Sequence, residues 1–368
     1  MSKIRPIAFF LPQYHPIPEN DEWWGKGFTE WRNVVKTKPL FKGHYQPHLP
    51  ADLGFYDLRL PETRIVQANL AKEYGIHGFC YYHYWFNGKR LLERPFEEVL
   101  NSGEPDFPFC LCWANESWTR RWDGQEKEIL AKQIYSQEDD LKHIRYLAKA
   151  FSDPRYIRIE GKPLFLVYRA SALPDAKKTT DIWREEANRL GIGEIFLCRV
   201  ESFPSEHSSP SDLGFDASVE FQPDWANLPL PLQWGRRWSY LRKVGLVNKA
   251  YGDNRIYYYA DLVSRMTQKP IPSYLRFPCV TPSWDNTARR KQGAVIFKGS
   301  TPELYGQWLE HAVQMAKKLP SAQRFVFINA WNEWAEGNHL EPCQRWGVSY
   351  LETTRQVISN ARYQQPKS

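Results

Sequence analysis

"FVFINAWNEWAEG", Phe325 to Gly337, joins two kinds of sequence back to back. The first half is apolar without a break as far as Asn329, and the second sets Glu333 and Glu336 among Trp331, Asn332 and Trp334. An alternating pattern would mark a strand with one wet face, whereas an unbroken one marks a strand buried on both faces, as in a parallel sheet covered by helices. Polar and aromatic residues crowded at the end of such a strand suggest the mouth of a barrel. The construction recurs along the chain: "IAFFL" at 7–11, "GFCYYHY" at 78–84, "PFCLCWA" at 108–114, "PLFLVY" at 163–168, "IFLCRV" at 195–200, "ASVEF" at 217–221 and "FPCVTPSW" at 277–284. With "FVFINAW" at 325–331 that makes eight runs.

Helical patterns fill most of the gaps. "LPETRIVQANLAKEYG" has Pro61 near its first turn and Gly75 as a C-terminal stop. "SQEDDLKHIRYLAKAF" offers Ser136 as N-cap with acids in its first turn. "TTDIWREEANRLG" ends at Gly191, and in "STPELYGQWLEHAVQMAKKL" Thr301 caps a stripe of Leu304, Trp308 and Ala312. Eight buried strands alternating with helices predict an α/β fold, a single (β/α)8 barrel. A doubly wound sheet would carry a glycine-rich phosphate loop after its first strand. Here the first run leads into "PQYHPIPENDEWWGKGFTEW", and neither a GxGxxG nor a Walker A pattern occurs anywhere, so no cofactor is expected.

Two connections are too long for simple barrel loops: Pro12 to about Leu60 after the first strand, and about Pro223 to Phe277 between the sixth and seventh. Loops beyond about 12–15 residues are usually functional or disordered, and the tryptophans in both argue for function. No repeat, low-complexity tract or linker interrupts the 368 residues, so one barrel domain over 1–368 is expected.

Composition narrows the function classes. Hydrophobic content of 42% and charged content of 25% are those of an ordinary globular chain. Aromatics are in excess, with 16 Trp, 20 Tyr and 20 Phe, and those in polar loops suit sugar rings better than a core. The net charge of +7 comes in short groups such as Arg120-Arg121 and Arg289-Arg290-Lys291, too short for a nucleic-acid arm. Cys80, Cys110, Cys112, Cys198, Cys279 and Cys343 mostly sit in apolar runs and read as reduced, structural residues. The apolar stretch Ile7 to Leu11 is too short for a signal sequence, and nothing approaches the roughly 18 apolar residues of a membrane span. A cytoplasmic location is therefore expected, unless a leader has been removed.

Reading the residues that close each run gives the candidate site, because barrel chemistry sits at the C-terminal strand ends. The first strand ends in Gln13, Tyr14 and His15, with Trp24 in the loop beyond. The second ends in His83, Tyr84 and Trp85, and the third in Trp113, Asn115, Glu116 and Trp118. The fourth supplies Tyr168, the sixth Glu220, the seventh Trp284, Asp285 and Asn286, and the eighth Trp331 and Asn332 before the two glutamates. Glycoside cleavage needs one carboxylic acid to protonate the leaving oxygen and a second carboxylate acting at the sugar. Glu333 and Glu336, three apart, share one face of a turn, and like charges at close range push one pKa up. A surface capping pair is the alternative. Glu116 could instead pair with Glu333, since an Asn-Glu after one strand with a Glu after a later one is a retaining-glycosidase layout. In that layout, though, the acid follows the fourth strand rather than the third. His44 and His48 are spaced like metal ligands, but Pro47, the loop setting and the lack of a nearby acid argue against a metal.

Five stretches, "FFLPQYHPIPENDEWWGKGFTEW", "YGIHGFCYYHYWFNGKRLL", "FPFCLCWANESWTRRWDG", "PSWDNTARR" and "FINAWNEWAEGNHLEP", resemble the WbsX-like family across nearly the whole chain. Members are often labelled glycosyltransferases of surface-polysaccharide (O-antigen) clusters. That family is similar in turn to glycoside hydrolase family 99, the endo-α-mannosidases and endo-α-mannanases, most clearly at the eighth strand. The resemblance implies a metal-free retaining hydrolase of polysaccharide or oligosaccharide that works through the sugar's own 2-hydroxyl. The family motif Glu-Trp-His-Glu is Glu333-Trp334-Ala335-Glu336 here. Glu333 then matches the base for the 2-hydroxyl and Glu336 the acid/base, with Ala335 in place of the motif's His. A literal glycosyltransferase would be expected to show a DxD motif or phosphate-binding loops, and the chain has neither. A transglycosylase and a non-catalytic polysaccharide-binding barrel remain as alternatives.

Overall fold

The computed structural model describes residues 3–120, 125–232, 238, 240 and 248–363. Most of 233–247, at the centre of the second long connection, and Arg121 lie outside the described residues.

The eight apolar runs form the strands of one parallel sheet: β1 Arg5–Phe10, β2 Gly78–Phe86, β3 Phe109–Trp113, β4 Lys162–Val167, β5 Phe196–Glu201, β6 Ala217–Glu220, β7 and β8 Phe325–Ile328. β7 consists of two short segments, Arg276–Phe277 and Cys279–Val280. Neighbours follow chain order, β6 to β1, and β1 then pairs with β8, Ile7 lying opposite both Gly78 and Phe327. The first segment of β7 pairs with β6 and the second with β8. These are the two edges of the sheet, and Pro278 alone joins them, so the sheet closes on itself as a barrel.

Helices cover the outside: α1 Pro61–Glu73, α2 Arg94–Ser102, α3 Gln137–Phe151, α4 Ala176–Arg189, α5 Tyr259–Thr267, α6 Pro302–Lys317 and α7 Ser349–Tyr363. Ser136 caps α3 by accepting from the Asp139 amide, and Thr301 caps α6 through the Leu304 amide. α4 starts three residues before the sequence pattern suggests, because Asp175 accepts from the Lys178 amide and supplies the cap. The crossover from β5 to β6 departs from a strict (β/α)8 plan: it carries only the short turns Pro204–Glu206 and Pro210–Leu213.

Phe9 plugs the barrel axis. Its ring lies 5.6 Å from Tyr82, 5.2 Å from Phe221 and 5.7 Å from Phe327, which come from or just follow β2, β6 and β8. Burying one such ring contributes roughly 1.5–3 kcal/mol, and the plug gives the site above it a rigid, dry floor. The first long loop carries two short helices, Pro18–Trp24 and Trp31–Val35. From the second, the strand Arg255–Tyr258 pairs in parallel with Val295–Lys298 of the loop after β7, a ribbon outside the barrel. All six cysteines are buried and free. No described helix is long and apolar enough to cross a membrane.

Candidate active site

The C-terminal strand ends open into a groove with two lobes. The first, about 300 Å³, is walled by Gln13, Trp24, Tyr82, Tyr84 and Trp118. The second, about 440 Å³, is walled by Phe203, Trp225, Trp284 and Asn286. Glu116, Tyr168, Arg289 and Glu336 line both, so the lobes meet over Glu336, with Glu333 just inside the first.

Both glutamates bind a single cation. Arg289 donates from Nη2 to Glu333 Oε1 at 2.9 Å, and its Nη1 lies 3.2 Å from Glu336 Oε1. The same guanidinium donates from Nε to Glu30 Oε2 at 3.0 Å and from Nη2 to Gln13 Oε1 at 3.2 Å. Three carboxylates thus converge on one arginine. Burial raises the Glu333 carboxyl well above its usual range; Arg289 pulls it down, while Glu336 and Glu30 push it further up. Glu336 is also raised, chiefly by burial, with Arg289 opposing. The two titrate as a pair, and their surroundings favour a shared proton over two full charges. That is the state an acid and a base working in alternation require.

The backbone around the pair is held from behind. Glu336 ends a short turn, Trp334–Glu336, closed by Gly337 in the left-handed region at φ 57°. A Cβ at Gly337 would stand 3.0 Å from the Asp285 Cβ, so glycine is needed for both the turn and the approach. The Glu336 carbonyl accepts from the Asp285 amide at 2.6 Å. Asp285 Oδ1 in turn accepts from the Thr287 amide at 3.0 Å and caps the turn that delivers Arg289. His44 fixes the other oxygen: its Nδ1 accepts from the Leu40 amide at 3.0 Å, so Nε2 carries the proton and donates to Asp285 Oδ2 at 2.5 Å. Behind Trp334, Glu341 accepts from the Trp334 indole, the Tyr56 hydroxyl and the Gln67 amide at 2.6–2.7 Å.

Of the residues expected to face sugar, Gln13, Trp24, Tyr84, Glu116, Tyr168, Glu333 and Glu336 line the first lobe, and Trp284 and Asn286 the second. The others do different work. Strand pleating turns His83, Trp85 and Trp113 outward, against the helices: His83 meets His143 across 3.0 Å, the Trp85 indole donates to Asp139, and Trp113 packs on Trp183. Trp331 is buried against Phe79. Asn332 and Asn115 tie strand ends together. Asn332 accepts from the Leu11 amide and donates to its carbonyl, and Asn115 does the same with Arg169. Tyr14 is buried and accepts from the Trp334 amide at 3.0 Å. His15 is buried away from the groove, and desolvation lowers its pKa to about 4. Glu220 pairs with Lys269 at 2.7 Å outside the groove, and Asp285 serves the backbone as described. His48 contacts His339 at 3.0 Å, so the two loop histidines engage different partners. Sequence reasoning missed Glu30, Arg289 and Tyr82. Tyr82 was within reach, since it shares a strand face with Tyr84. Glu30 and Arg289 come from loops, where no periodicity marks them.

Comparison with known proteins places these features. Residues 6–354 match the family described as Glycosyltransferase WbsX. Two curated relatives, both named "Uncharacterized protein WxcX" and from two strains of Xanthomonas campestris pv. campestris, are 48% identical over 356 residues. The match takes in 96% of this chain and 50% of theirs, so the chain spans about half the length of these relatives. Among solved structures, a GH99 endo-alpha-mannosidase from Bacteroides thetaiotaomicron superposes with a TM-score of 0.59 at 15% identity, over 98% of each chain. A "glycoside hydrolase-like protein" gives 0.58 at 14%, over 97% of this chain and 94% of that one. At such identities the likeness is one of fold.

Proposed function

The chain belongs to the WbsX glycosyltransferase family, and for its barrel we propose a retaining, endo-acting glycoside hydrolase of α-linked, mannose- or rhamnose-type bacterial polysaccharide. One observation carries the reading: Glu333 and Glu336, both buried, share Arg289 at the junction of two groove lobes. A groove that continues on both sides of the acid pair suits a chain cut internally.

In the first step Glu333 takes the proton of the sugar's 2-hydroxyl, and O2 attacks C1. The C1–O bond to the leaving sugar breaks as Glu336 protonates that oxygen, leaving a 1,2-anhydro sugar. In the second step Glu336 takes a proton from water, whose oxygen attacks C1. The C1–O2 bond breaks, O2 recovers its proton from Glu333, and two inversions give net retention. The sugar must carry a free 2-hydroxyl trans-diaxial to the leaving group, as α-mannosides and α-rhamnosides do. Arg289 opposes the rise of both carboxyls, which lets one of the pair stay ionised as the base, and Tyr84, Trp24 and Trp284 offer ring faces for neighbouring sugars.

The test is incubation of the wild type and Glu336→Gln with α-mannans and α-rhamnans in ¹⁸O-water, read by mass spectrometry. Wild type alone should release oligosaccharides with one ¹⁸O at the new reducing end. Products without ¹⁸O but with lengthened chains would make the protein a transglycosylase, the activity nearest its family's description. Binding by both proteins with no product from any polymer would leave a binding barrel.

A further inference from the structure

The two lobes differ in charge. In the first, Glu30, Glu333 and Glu336 face Arg289, the single cation among the described residues that line it. The second adds two more cations, Arg255 and Arg290, and among the described residues its only acids are the shared Glu116 and Glu336. Those acids are already engaged, Glu116 by Arg169 at 2.8 Å and Glu336 by Arg289. Neither the Arg255 nor the Arg290 side chain makes an ion pair or hydrogen bond with any described residue. The connecting stretch 233–247 carries four Arg and Lys and no Asp or Glu, so it brings no carboxylate either.

Both guanidiniums sit on fixed backbone. Arg255 begins the ribbon strand and donates its amide to the Ala294 carbonyl at 2.8 Å. Arg290 follows directly on Arg289 and the turn that Asp285 caps. Its charge is felt at Glu336, whose carboxyl it pulls down. Beside them stand Phe203, Trp225 and Trp284, with the two indoles edge to face at 5.5 Å. A lobe built from aromatic faces and unpaired guanidiniums matches a sugar ring that bears an anion, since guanidinium forks pair with carboxylate and phosphate oxygens two at a time.

We infer that the second lobe binds an anionic substituent of the glycan, a carboxylate or a phosphoryl group, on a sugar beside the one attacked. The inference rests on the groove being a glycan site, as proposed above, but not on cleavage.

The test is therefore a binding titration with Glu336→Gln, calorimetric and at low salt, in which nothing is cut. The probes are two matched pairs: a glucuronate-bearing α-mannan with its carboxyl-reduced form, and a phosphomannan with its dephosphorylated form. At least one acidic polymer should bind roughly tenfold or more tighter than its neutral partner, the scale of a charge-assisted hydrogen bond. Which pair shows the gap identifies the anion. Adding Arg255→Gln and Arg290→Gln should close the gap without changing affinity for the neutral polymer, and raising the salt should narrow it. Equal affinity within both pairs would overturn the inference, as would an acidic preference that survives the double substitution. Failure of the hydrolase reading would show instead as wild type binding these polymers without cutting them.

Discussion

Arg289 donates to Glu333 over 2.9 Å from a position 44 residues earlier in the chain. The same side chain serves Glu336 and Glu30, so it sets the charge state of the whole cluster. A guanidinium favours the ionised form of a carboxyl, and removing it leaves desolvation unopposed. Arg289→Gln should therefore push both carboxyls higher. The acid limb of a kcat/KM against pH profile should move to higher pH by about one unit or more, and the rate at pH 7 should drop by about 10²-fold or more. A profile that falls in height without moving would separate Arg289 from the titration.

Glu333→Gln and Glu336→Gln should each lower kcat by about 10²–10⁴-fold, the usual worth of a positioned acid or base. The two separate on a substrate whose leaving group needs no proton, such as a dinitrophenyl α-mannoside. Glu336→Gln should recover much of its first step there, and Glu333→Gln should not. A substrate methylated at O2 should stay intact with every variant, and its cleavage by wild type would sink the 2-hydroxyl route.

Trp113 and Trp24 make opposite predictions, although both are tryptophans near strand ends. Trp113 is 1% exposed and donates its indole N–H to the Trp85 carbonyl at 3.1 Å, so Trp113→Ala should cost about 3–5 kcal/mol of stability. Trp24 lines the groove half-buried, so Trp24→Ala should raise KM with little change in Tm. Thermal melts beside Michaelis curves settle both.

That contrast shows what the sequence made legible. Unbroken apolar runs report burial on two faces, and parallel strands are buried that way; the barrel and the Glu333–Glu336 pair at its eighth strand were therefore readable from local pattern. Which side chains enter the groove depends on the pleat. His83, Tyr84 and Trp85 cannot all point inward, and only Tyr84 does, together with Tyr82. The asparagines misled for another reason: a polar residue at a strand end can bind sugar or tie neighbouring strands, and Asn115 and Asn332 are consumed by backbone bonds. Glu30 and Arg289 were invisible because closure of the barrel, not spacing along the chain, brings them together.

Glu341, behind the active-site turn, gives a pH test of stability. Burial raises its carboxyl from the ordinary 4.5 to about 7, against the pull of the Trp334, Tyr56 and Gln67 donors. Between those values the folded protein keeps a proton that the unfolded chain has released. Its contribution to stability is fully present below pH 4.5 and is lost as pH climbs to about 7. The loss is roughly 3 kcal/mol for a shift of this size. Asp140, raised to about 6 by burial, adds a slope of the same sign, so the measurement must be a difference. Urea midpoints of wild type and Glu341→Gln, taken from pH 4.5 to 8, should converge as the pH rises, because Gln cannot ionise. The variant starts lower, since its amide brings two N–H donors where the protonated carboxyl brings one O–H, and the Trp334, Tyr56 and Gln67 groups around it are donors themselves. Parallel curves across that range would mean that the three donors outweigh burial and hold Glu341 ionised throughout.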